Sequence, residues 1–280
     1  MKKLKIVLDN NIYSTYKKEL IDFKEKYKHK IEIFLTDPNI VEMIEFEERL
    51  NIAIKIKDKL FGPPQFVVLN EINEYFNKNI FTFGKYKKIK NALYQIFFNN
   101  GCSFKELIET RLIYDKNQVD YITKEREKIK KLYLDDWKKS AAIIRPIIEK
   151  IKKEEGVNRF KILDNVKEKY ILSCELFDYV MERFYIKKYF NCYYLLLYVN
   201  NTWLKKIRTL SSFMNYYLIR AENYYNQNFQ NISGSDLIDL DYTVYFPLID
   251  YFITENKKHF LNKFNDEKIK NFKEFNKMIV

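Results

Sequence analysis

Short apolar runs and helical patterns alternate over the first 60 residues, and this alternation constrains the fold more than any other feature of the chain. Leu4 to Leu8 is a mostly apolar run that ends at Asp9, which predicts a buried central strand. A helical pattern follows from about Ile12 to Tyr27, and Lys30 to Leu35 predicts a second strand. Strand, helix, strand and helix in this spacing predict a parallel βαβ sheet with right-handed crossovers.

Later elements follow from the same kinds of pattern. Thr36-Asp37-Pro38 predicts a helix start, because Pro is favoured in a first helical turn. The elements predicted after it are a helix carrying Ile40, Val41, Ile44 and Leu50, a strand from Gln65 to Leu69, a mostly helical stretch from about Lys85 to Tyr225, a helix from Leu240 to Leu248, a strand from Tyr251 to Thr254, and a helix from Lys257 to Phe264. The α/β pattern therefore occupies both ends of the chain, with a helical insertion between them.

Composition narrows the class of protein. The chain has 280 residues, 47% hydrophobic and 17% aromatic, so it can bury a sizeable core and is not disordered. Its 5 Gly and 5 Pro are too few for an all-β fold with many tight turns. No apolar run approaches the ~20 residues of a membrane span, and no secretory signal opens the chain. We therefore expect a soluble cytoplasmic protein.

Cysteine and histidine are scarce. The 3 Cys are far apart without CxxC spacing, and the 2 His are His29 and His259. This pattern disfavours structural zinc, a disulfide framework and histidine-based catalytic triads. Any chemistry is expected to rest on carboxylates.

Acidic residues flank the predicted strands. Asp9 follows the carboxyl end of the first strand, and ligands of open parallel sheets bind beyond the carboxyl ends of the strands. The alternative is that Asp9 only caps the helix that follows. Glu42 is expected to begin the helix after the second strand, where a first-turn glutamate also complements the helix dipole. A third set, for which a solvated acidic face is the alternative, precedes the last strand: Asp236, Asp239, Asp241 and Asp250. Clustered carboxylates need a cation, and oxygen ligands of this kind suit Mg²⁺ or Mn²⁺.

Three segments resemble PIN-like ribonucleases. Val7-Leu-Asp9-Asn-Asn11-Ile-Tyr13 is similar to the family's opening strand, with its metal-binding Asp followed by one residue and then Asn, Ser or Thr. Phe34-Leu-Thr-Asp-Pro-Asn-Ile-Val-Glu42-Met-Ile resembles its second strand and acidic helix. The best match is Asp236-Leu-Ile-Asp239-Leu-Asp-Tyr-Thr-Val-Tyr-Phe-Pro-Leu-Ile-Asp250-Tyr-Phe-Ile-Thr254-Glu-Asn256-Lys, which is similar to the helix and last strand of bacterial members.

The resemblance implies a fold, a division of the chain and a site. The fold would be a three-layer α/β fold with a central parallel sheet, built from residues 1–60 and 205–280, with residues 61–204 as a mainly helical basic insertion. Asp9, Glu42 and Asp239 would bind the metal, and Asn256 would stand where many relatives have a fourth Asp. The pocket rim would comprise Asn11, Thr254 and whichever of the remaining acids assists the site: Asp236, Asp241 and Asp250.

The middle of the chain is basic. Residues 124–170 contain 15 Lys and Arg against 9 Asp and Glu, a net of +6 out of the chain's +12 (50 − 38). Basic side chains with interleaved aromatics hold single-stranded nucleic acid, although a solvated helical face has the same pattern. The candidate RNA-binding residues are Lys128, Lys130, Lys131, Lys138 and Lys139.

The leading hypothesis is a metal-dependent endoribonuclease that acts on RNA and leaves a 5′-phosphate and a 3′-hydroxyl. Three further points stay open: a toxin or defence role, a protein inhibitor or antitoxin as partner, and a homodimer. A catalytically weak PIN-like module that binds RNA or protein is the alternative. A phosphatase of the haloacid dehalogenase type also begins with a strand and an Asp, but Asn11 stands where it needs its second Asp. A dinucleotide-binding enzyme is disfavoured, because no Gly-rich turn follows the first strand.

Overall fold

The computed structural model describes residues 2–43, 46–62, 64–79, 206–226, 234–261 and 266–280, together with single positions between 124 and 186. Within this part of the chain, no helix is both long enough and apolar enough to cross a bilayer. The described residues group into two compact units.

The first unit contains a five-stranded sheet in which every neighbouring pair is parallel. The strand order is β3-β2-β1-β4-β5, so β1 lies at the centre. Its strands are β1 (Leu4–Leu8), β2 (Ile31–Leu35), β3 (Lys59–Leu60), β4 (Tyr251–Ile253) and β5 (Ile269–Lys270). The predicted α/β fold with a parallel sheet is confirmed, and β1 pairs with β4, which is the strand near residue 251.

Helices connect the strands and flank the sheet. Asp9 caps α1 (Asn10–Tyr27), and the chain returns through β2 to α2 (Asp37–Met43) and α3 (Glu47–Ile56). After β5, Asn271 and Glu274 form a capping box at the start of the last helix (Phe272–Ile279), in which two backbone donors are satisfied reciprocally.

Apolar side chains cover both faces of the sheet. Ile6 and Leu8 on one face belong to a buried cluster that includes Leu20 of α1, Ala53 of α3 and Phe275 of the last helix. Successive strand residues point to opposite faces, so Val7, Phe34 and Phe252 belong to the other face. There Phe34 stacks on Phe61 with ring centroids 4.4 Å apart, and Phe252 contacts Phe246 and Phe260. Each fully buried side chain of this size contributes roughly 1.5–3 kcal/mol.

The second unit includes three helices that the structure describes in full: α4 (Pro64–Asn79), α5 (Arg208–Asn226) and α6 (Gly234–Tyr242). Glu71 of α4 accepts hydrogen bonds from Arg208 N (3.0 Å), Thr209 N (2.9 Å) and Thr209 Oγ1 (2.6 Å). A carboxylate at a helix N-terminus satisfies donors that have no partner within the helix. The predicted domain boundaries at residues 60/61 and 204/205 stay a prediction.

Three predicted elements differ in the structure. The strand expected from Gln65 to Leu69 is wrong, because this run begins α4 after Pro64, and the third strand is Lys59–Leu60. Short apolar runs do not distinguish a buried strand from a buried helix. The single helix expected to carry Ile40 and Leu50 is divided into α2 and α3.

The helix expected from Leu240 to Leu248 ends at Tyr242, and a 3₁₀ turn follows at Phe246–Leu248. Pro247 lies in this turn, and Pro cannot donate to a continuing helix. The segment Lys257–Leu261 is a short π-helix in place of an α-helix. Most of the stretch from Lys85 to Tyr225 lies outside the described residues.

Candidate active site

Asp9 lies at the carboxyl end of the central strand. It follows β1 directly, and its backbone N–H donates to Ile253 O of β4 at 2.8 Å. The residue as a whole is only 3% exposed. The chain leaves β1 for β2 on one side and pairs with β4 on the other. A reversal of strand order at this edge of a parallel sheet opens the crevice where ligands bind. Asp9 therefore lies at the position where this fold accommodates a ligand.

Three hydrogen bonds hold the Asp9 carboxylate. Oδ1 accepts from Asn10 N at 2.7 Å, and Oδ2 accepts from Asn11 Nδ2 at 2.6 Å and from Thr254 Oγ1 at 2.5 Å. An ionised carboxylate offers about four acceptor positions, two on each oxygen. Oδ2 is thus filled, whereas Oδ1 keeps one position that no described residue uses.

Thr254 positions this carboxylate. Its hydroxyl donates to Asp9 and accepts from Asn256 N at 2.9 Å and from Asn11 Nδ2 at 3.3 Å. A hydroxyl has one donor and two acceptor positions, so all three are occupied, and Thr254 is fully buried. Thr254, a candidate for the pocket rim, is a buried residue that supports Asp9.

Asn11 connects α1 to the residues after β4. Its Oδ1 accepts from Glu255 N at 3.1 Å, while its Nδ2 donates to Asp9 and Thr254. Glu255 Oε1 in turn accepts from Tyr16 OH at 3.0 Å and from Phe272 N at 3.1 Å. The orientation of the Asp9 carboxylate is therefore fixed by groups from α1, the end of β4 and the start of the last helix.

Burial controls the protonation of these groups. Desolvation raises the pKa of Asp9 to about 6, while the hydrogen bonds from Thr254, Asn10 and Asn11 act in the opposite direction. Burial, and after it the charge of Asp9, also raises the pKa of the fully buried Tyr13. Burial and the hydrogen bond to Glu255 raise the pKa of Tyr16 to about 12. An uncompensated charge on Asp9 is thus unfavourable, which is the condition that a bound cation relieves.

Asn39 anchors α2 to this edge of the sheet. Its Nδ2 donates to Leu8 O at 2.8 Å, and its Oδ1 accepts from Thr36 Oγ1 at 2.8 Å and from Thr36 N at 3.1 Å. Both residues are fully buried. Asn39 was not among the predicted site residues, although a Thr followed three residues later by a side-chain amide at a helix start resembles the capping box and could have indicated it.

Glu42 lies on α2, three residues after Asn39, and is half-buried. It stands near the end of this seven-residue helix rather than in its first turn.

Asn256 follows Thr254 by two residues. Its backbone N–H binds the Thr254 hydroxyl, and its carbonyl accepts from Phe260 N and Leu261 N at the start of the π-helix. Asp9, Asn11, Thr254 and the backbone of Asn256 are thus brought together.

Asp250 lies at the opposite end of the sheet. Its Oδ2 accepts from Lys5 N at 2.7 Å, and its own N–H donates to Lys5 O at 2.8 Å. β4 begins one residue later, at the partner of Ile6, so Asp250 precedes the strand whose far end leads to Thr254. At about 3.3 Å per strand residue, the four positions from Lys5 to Asp9 span ~13 Å. The structure does not bring Asp250 to Asp9.

The acids of α6 belong to the second unit. Arg220 donates to Asp239 Oδ2 at 3.3 Å, and Arg183 binds both oxygens of Asp241, at 2.7 and 3.0 Å. Asp239 and Asp241 are 7% and 6% exposed, so the solvated acidic face is wrong for these two residues. The side chain of Asp236 lies outside the described residues. That Asp239 shares a metal with Asp9 stays a prediction.

Of the candidate RNA-binding lysines, Lys131 and Lys138 are helical and exposed. Lys128, Lys130 and Lys139 lie outside the described residues. The nearby Arg145 pairs with Glu149 at 3.3 Å across one helical turn, an exposed pair of the kind that contributes little to stability.

The fit of a metal ion rests on Asp9. Among the residues whose placement is described, no cluster of three or more His, Cys, Asp or Glu side chains is arranged to hold a metal. Asp9 Oδ1 nevertheless offers one acceptor position, and the buried amide oxygen of Asn10, the next residue, has no hydrogen-bond partner among the residues that the structure describes. Carboxylate and amide oxygens are ligands that Mg²⁺ and Mn²⁺ accept. No protein-family model, curated protein or solved structure matches this chain.

Proposed function

We propose that this chain is a PIN-like, divalent-metal-dependent endoribonuclease in which Asp9 is the principal ligand of Mg²⁺ or Mn²⁺. The observation that carries the proposal is the buried Asp9 carboxylate at the carboxyl end of the central strand, with one acceptor position on Oδ1 not used by any described residue. Hard divalent cations select such oxygens, and the crevice at this edge is where parallel sheets bind ligands.

The chain's own residues would prepare Asp9 for this role. Thr254 and Asn11 fix the carboxylate through Oδ2, so Oδ1 is held in one orientation. Glu42 on α2 is the proposed second ligand, because Asn39 fixes the first turn of that helix to the residue before Asp9. Asp239 is the proposed third ligand, by the PIN-like resemblance. The bound ion would activate water and stabilise charge on a phosphoryl oxygen.

The proposed substrate is RNA. The net charge of +12 favours a polyanionic partner, and the basic stretch 124–170 is the proposed groove. Lys131 and Lys138 are exposed there, as phosphate-contacting lysines must be. The proposed products carry a 5′-phosphate and a 3′-hydroxyl, as the PIN-like resemblance implies.

A binding module without strong catalysis is the second candidate, and the pairing of Asp239 with Arg220 favours it. A carboxylate already neutralised by a buried guanidinium has less need of a metal ion. Asn256 stands where many PIN-like relatives have a fourth Asp, so the site carries less negative charge to attract a metal ion. This difference also favours the binding module.

Cleavage of labelled single-stranded RNA tests the two candidates. We expect the purified protein to cleave RNA with Mn²⁺ or Mg²⁺, and excess chelator to stop the reaction. Asp9→Asn should abolish cleavage without unfolding the protein. Asp250→Asn is the matched control, because it alters a carboxylate at the opposite end of the same strand pair. Binding without cleavage would support the binding module, and cleavage that survives chelator or Asp9→Asn would refute the proposal.

A further inference from the structure

An aromatic side chain lies on the surface at the start of α3. Phe46 is 43% exposed, and the other large hydrophobic residues found exposed in the described part of the chain, Met278 and Val280, are at the C-terminal end. The backbone of Phe46 is fixed, because its N–H donates to Met43 O at 2.8 Å and its carbonyl accepts from Leu50 N at 3.0 Å. The backbone that carries the ring is therefore fixed, while the ring itself remains accessible.

A guanidinium group lies over this ring. Arg49 Cζ is 4.1 Å from the centroid of Phe46, a cation–π contact. Arg49 forms no ion pair with any residue that the structure describes. Its five N–H groups therefore remain suited to an anionic or carbonyl-rich ligand.

The Phe46–Arg49 pair belongs to the same compact unit as Asp9. Lys17 Nζ of α1 binds Glu48 Oε2 at 2.6 Å, which fixes the first turn of α3 beside α1. Lys17, at which α1 is kinked, is eight residues after Asp9, so it lies about 12 Å from Asp9 along the helix at 1.5 Å per residue.

We propose that Phe46 and Arg49 form a base-stacking subsite, in which one nucleobase of a single-stranded RNA packs on the Phe46 ring and Arg49 contacts the base or its phosphate. The ligand class follows from the side chains, because aromatic rings stack bases and arginine adds cation–π and phosphate contacts. The inference rests on the proposed function for the identity of the substrate. The subsite would place one RNA contact on Phe46 and Arg49, which lie outside the basic insertion of residues 61–204.

The test measures binding rather than cleavage. Full-length protein carrying Asp9→Asn would be titrated into a fluorescein-labelled 12-nucleotide oligo(U), and fluorescence anisotropy would give the affinity. We expect Phe46→Ala to weaken binding about tenfold, within the range measured for loss of one stacking contact. Phe46→Trp should retain or improve the affinity, and Arg49→Ala should weaken it. Met278→Ala removes a side chain of similar exposure on the last helix and should leave the affinity unchanged.

A purely structural role gives a different pattern. If the ring only packs against Arg49, Phe46→Ala would lower thermal stability and leave the affinity of the folded protein unchanged. That result, or equal loss of affinity in Met278→Ala, overturns the inference. An oligonucleotide of abasic sites provides a second readout, because stacking requires a base: Phe46→Ala should have no effect on its binding. RNA cleavage by the parent protein is scored separately, so failure of the subsite and failure of the ribonuclease remain distinguishable.

Discussion

The hydroxyl of Thr254 donates a 2.5 Å hydrogen bond to the carboxylate of Asp9, although the two residues are 245 positions apart in the sequence. Parallel pairing of β4 with β1 brings them together, because the pairs Val7–Phe252 and Leu8–Ile253 set the register. Asp9 and Thr254 are the residues that follow those partners at the same edge. The contact thus depends on the sheet register and on a buried donor.

Thr254→Val should weaken the site without changing the shape of the side chain. The hydrogen bond from Thr254 is the largest of the effects that lower the pKa of Asp9, so its loss should raise that pKa further. Metal binding requires the ionised carboxylate, so the pH at which Mn²⁺ binding is half-complete should move upward. Isothermal titration calorimetry from pH 5 to 8 measures this shift. Thr254→Ser keeps the hydroxyl and should resemble the parent protein.

Asp9→Asn should stabilise the metal-free protein at neutral pH. Burial raises the pKa of Asp9 from 3.8 to about 6, so the native state binds this proton more tightly than the unfolded state does. Stability therefore falls as pH rises from about 4 to 6, and the full cost, on the order of 3 kcal/mol, remains above pH 6. The amide removes the charge but accepts fewer of the three hydrogen bonds. We expect a net gain of roughly 1–2 kcal/mol at pH 7.5 that disappears near pH 4.

Urea denaturation in chelator at both pH values measures that gain. Asp250→Asn should show no corresponding gain at pH 7.5. A loss of stability in Asp9→Asn at pH 7.5 would contradict the assigned cost of burying Asp9.

Tyr13 and Tyr16 should respond in opposite ways to loss of the hydroxyl. The hydroxyl of Tyr13 is buried and has no hydrogen-bond partner in the described part of the chain, whereas that of Tyr16 donates to Glu255 at 3.0 Å. A buried unpaired polar group costs about 1–3 kcal/mol, and a typical hydrogen bond contributes about 1 kcal/mol. Tyr13→Phe should therefore be neutral or stabilising, and Tyr16→Phe should destabilise by about 1 kcal/mol. Equal losses in the two variants, measured by thermal unfolding, would argue against this difference.

The Arg220–Asp239 pair provides a test of the third proposed ligand. Both side chains are buried, and removal of one partner from a buried ion pair costs about 3–5 kcal/mol because the other charge is left uncompensated. Arg220→Met should lower the free energy of unfolding by about that amount, and adding Asp239→Asn should restore much of it. Denaturation with and without Mn²⁺ then distinguishes the roles of Asp239. If Asp239 binds metal, Mn²⁺ should rescue Arg220→Met, and an absence of rescue would leave Asp239 as a structural anchor.

The sheet and the position of Asp9 could be predicted from local pattern. Leu4–Leu8 is apolar except for Lys5 and is followed by Asp9 and a helical pattern, and each of these signals lies within a few residues. The apolar run after Gln65 misled the prediction, since buried helices and buried strands share such runs. The third strand, at two residues, is too short to leave a pattern.

The support around Asp9 could be predicted only in part. Asn11 and Thr254 were candidates, but that Thr254 is buried and fully hydrogen-bonded depends on register between distant segments. The partners of Asp239 and Asp241 could not be inferred, because Arg220 and Arg183 carry no local signal that they turn inward. Asp250 illustrates the converse. It is close in sequence to Thr254, yet the length of one strand separates their positions along the sheet.

The pairing of β1 with β4 has a consequence for synthesis of the chain. Asp9 leaves the ribosome before its partner Thr254 has been translated, because the two residues are 245 positions apart. Contacts between such distant segments also form slowly, since the intervening chain must be ordered first. A nascent chain interrupted anywhere before Thr254 would carry Asp9 without the donor that fixes it, so the supported Asp9 carboxylate can form only after β4 and Thr254 have been made.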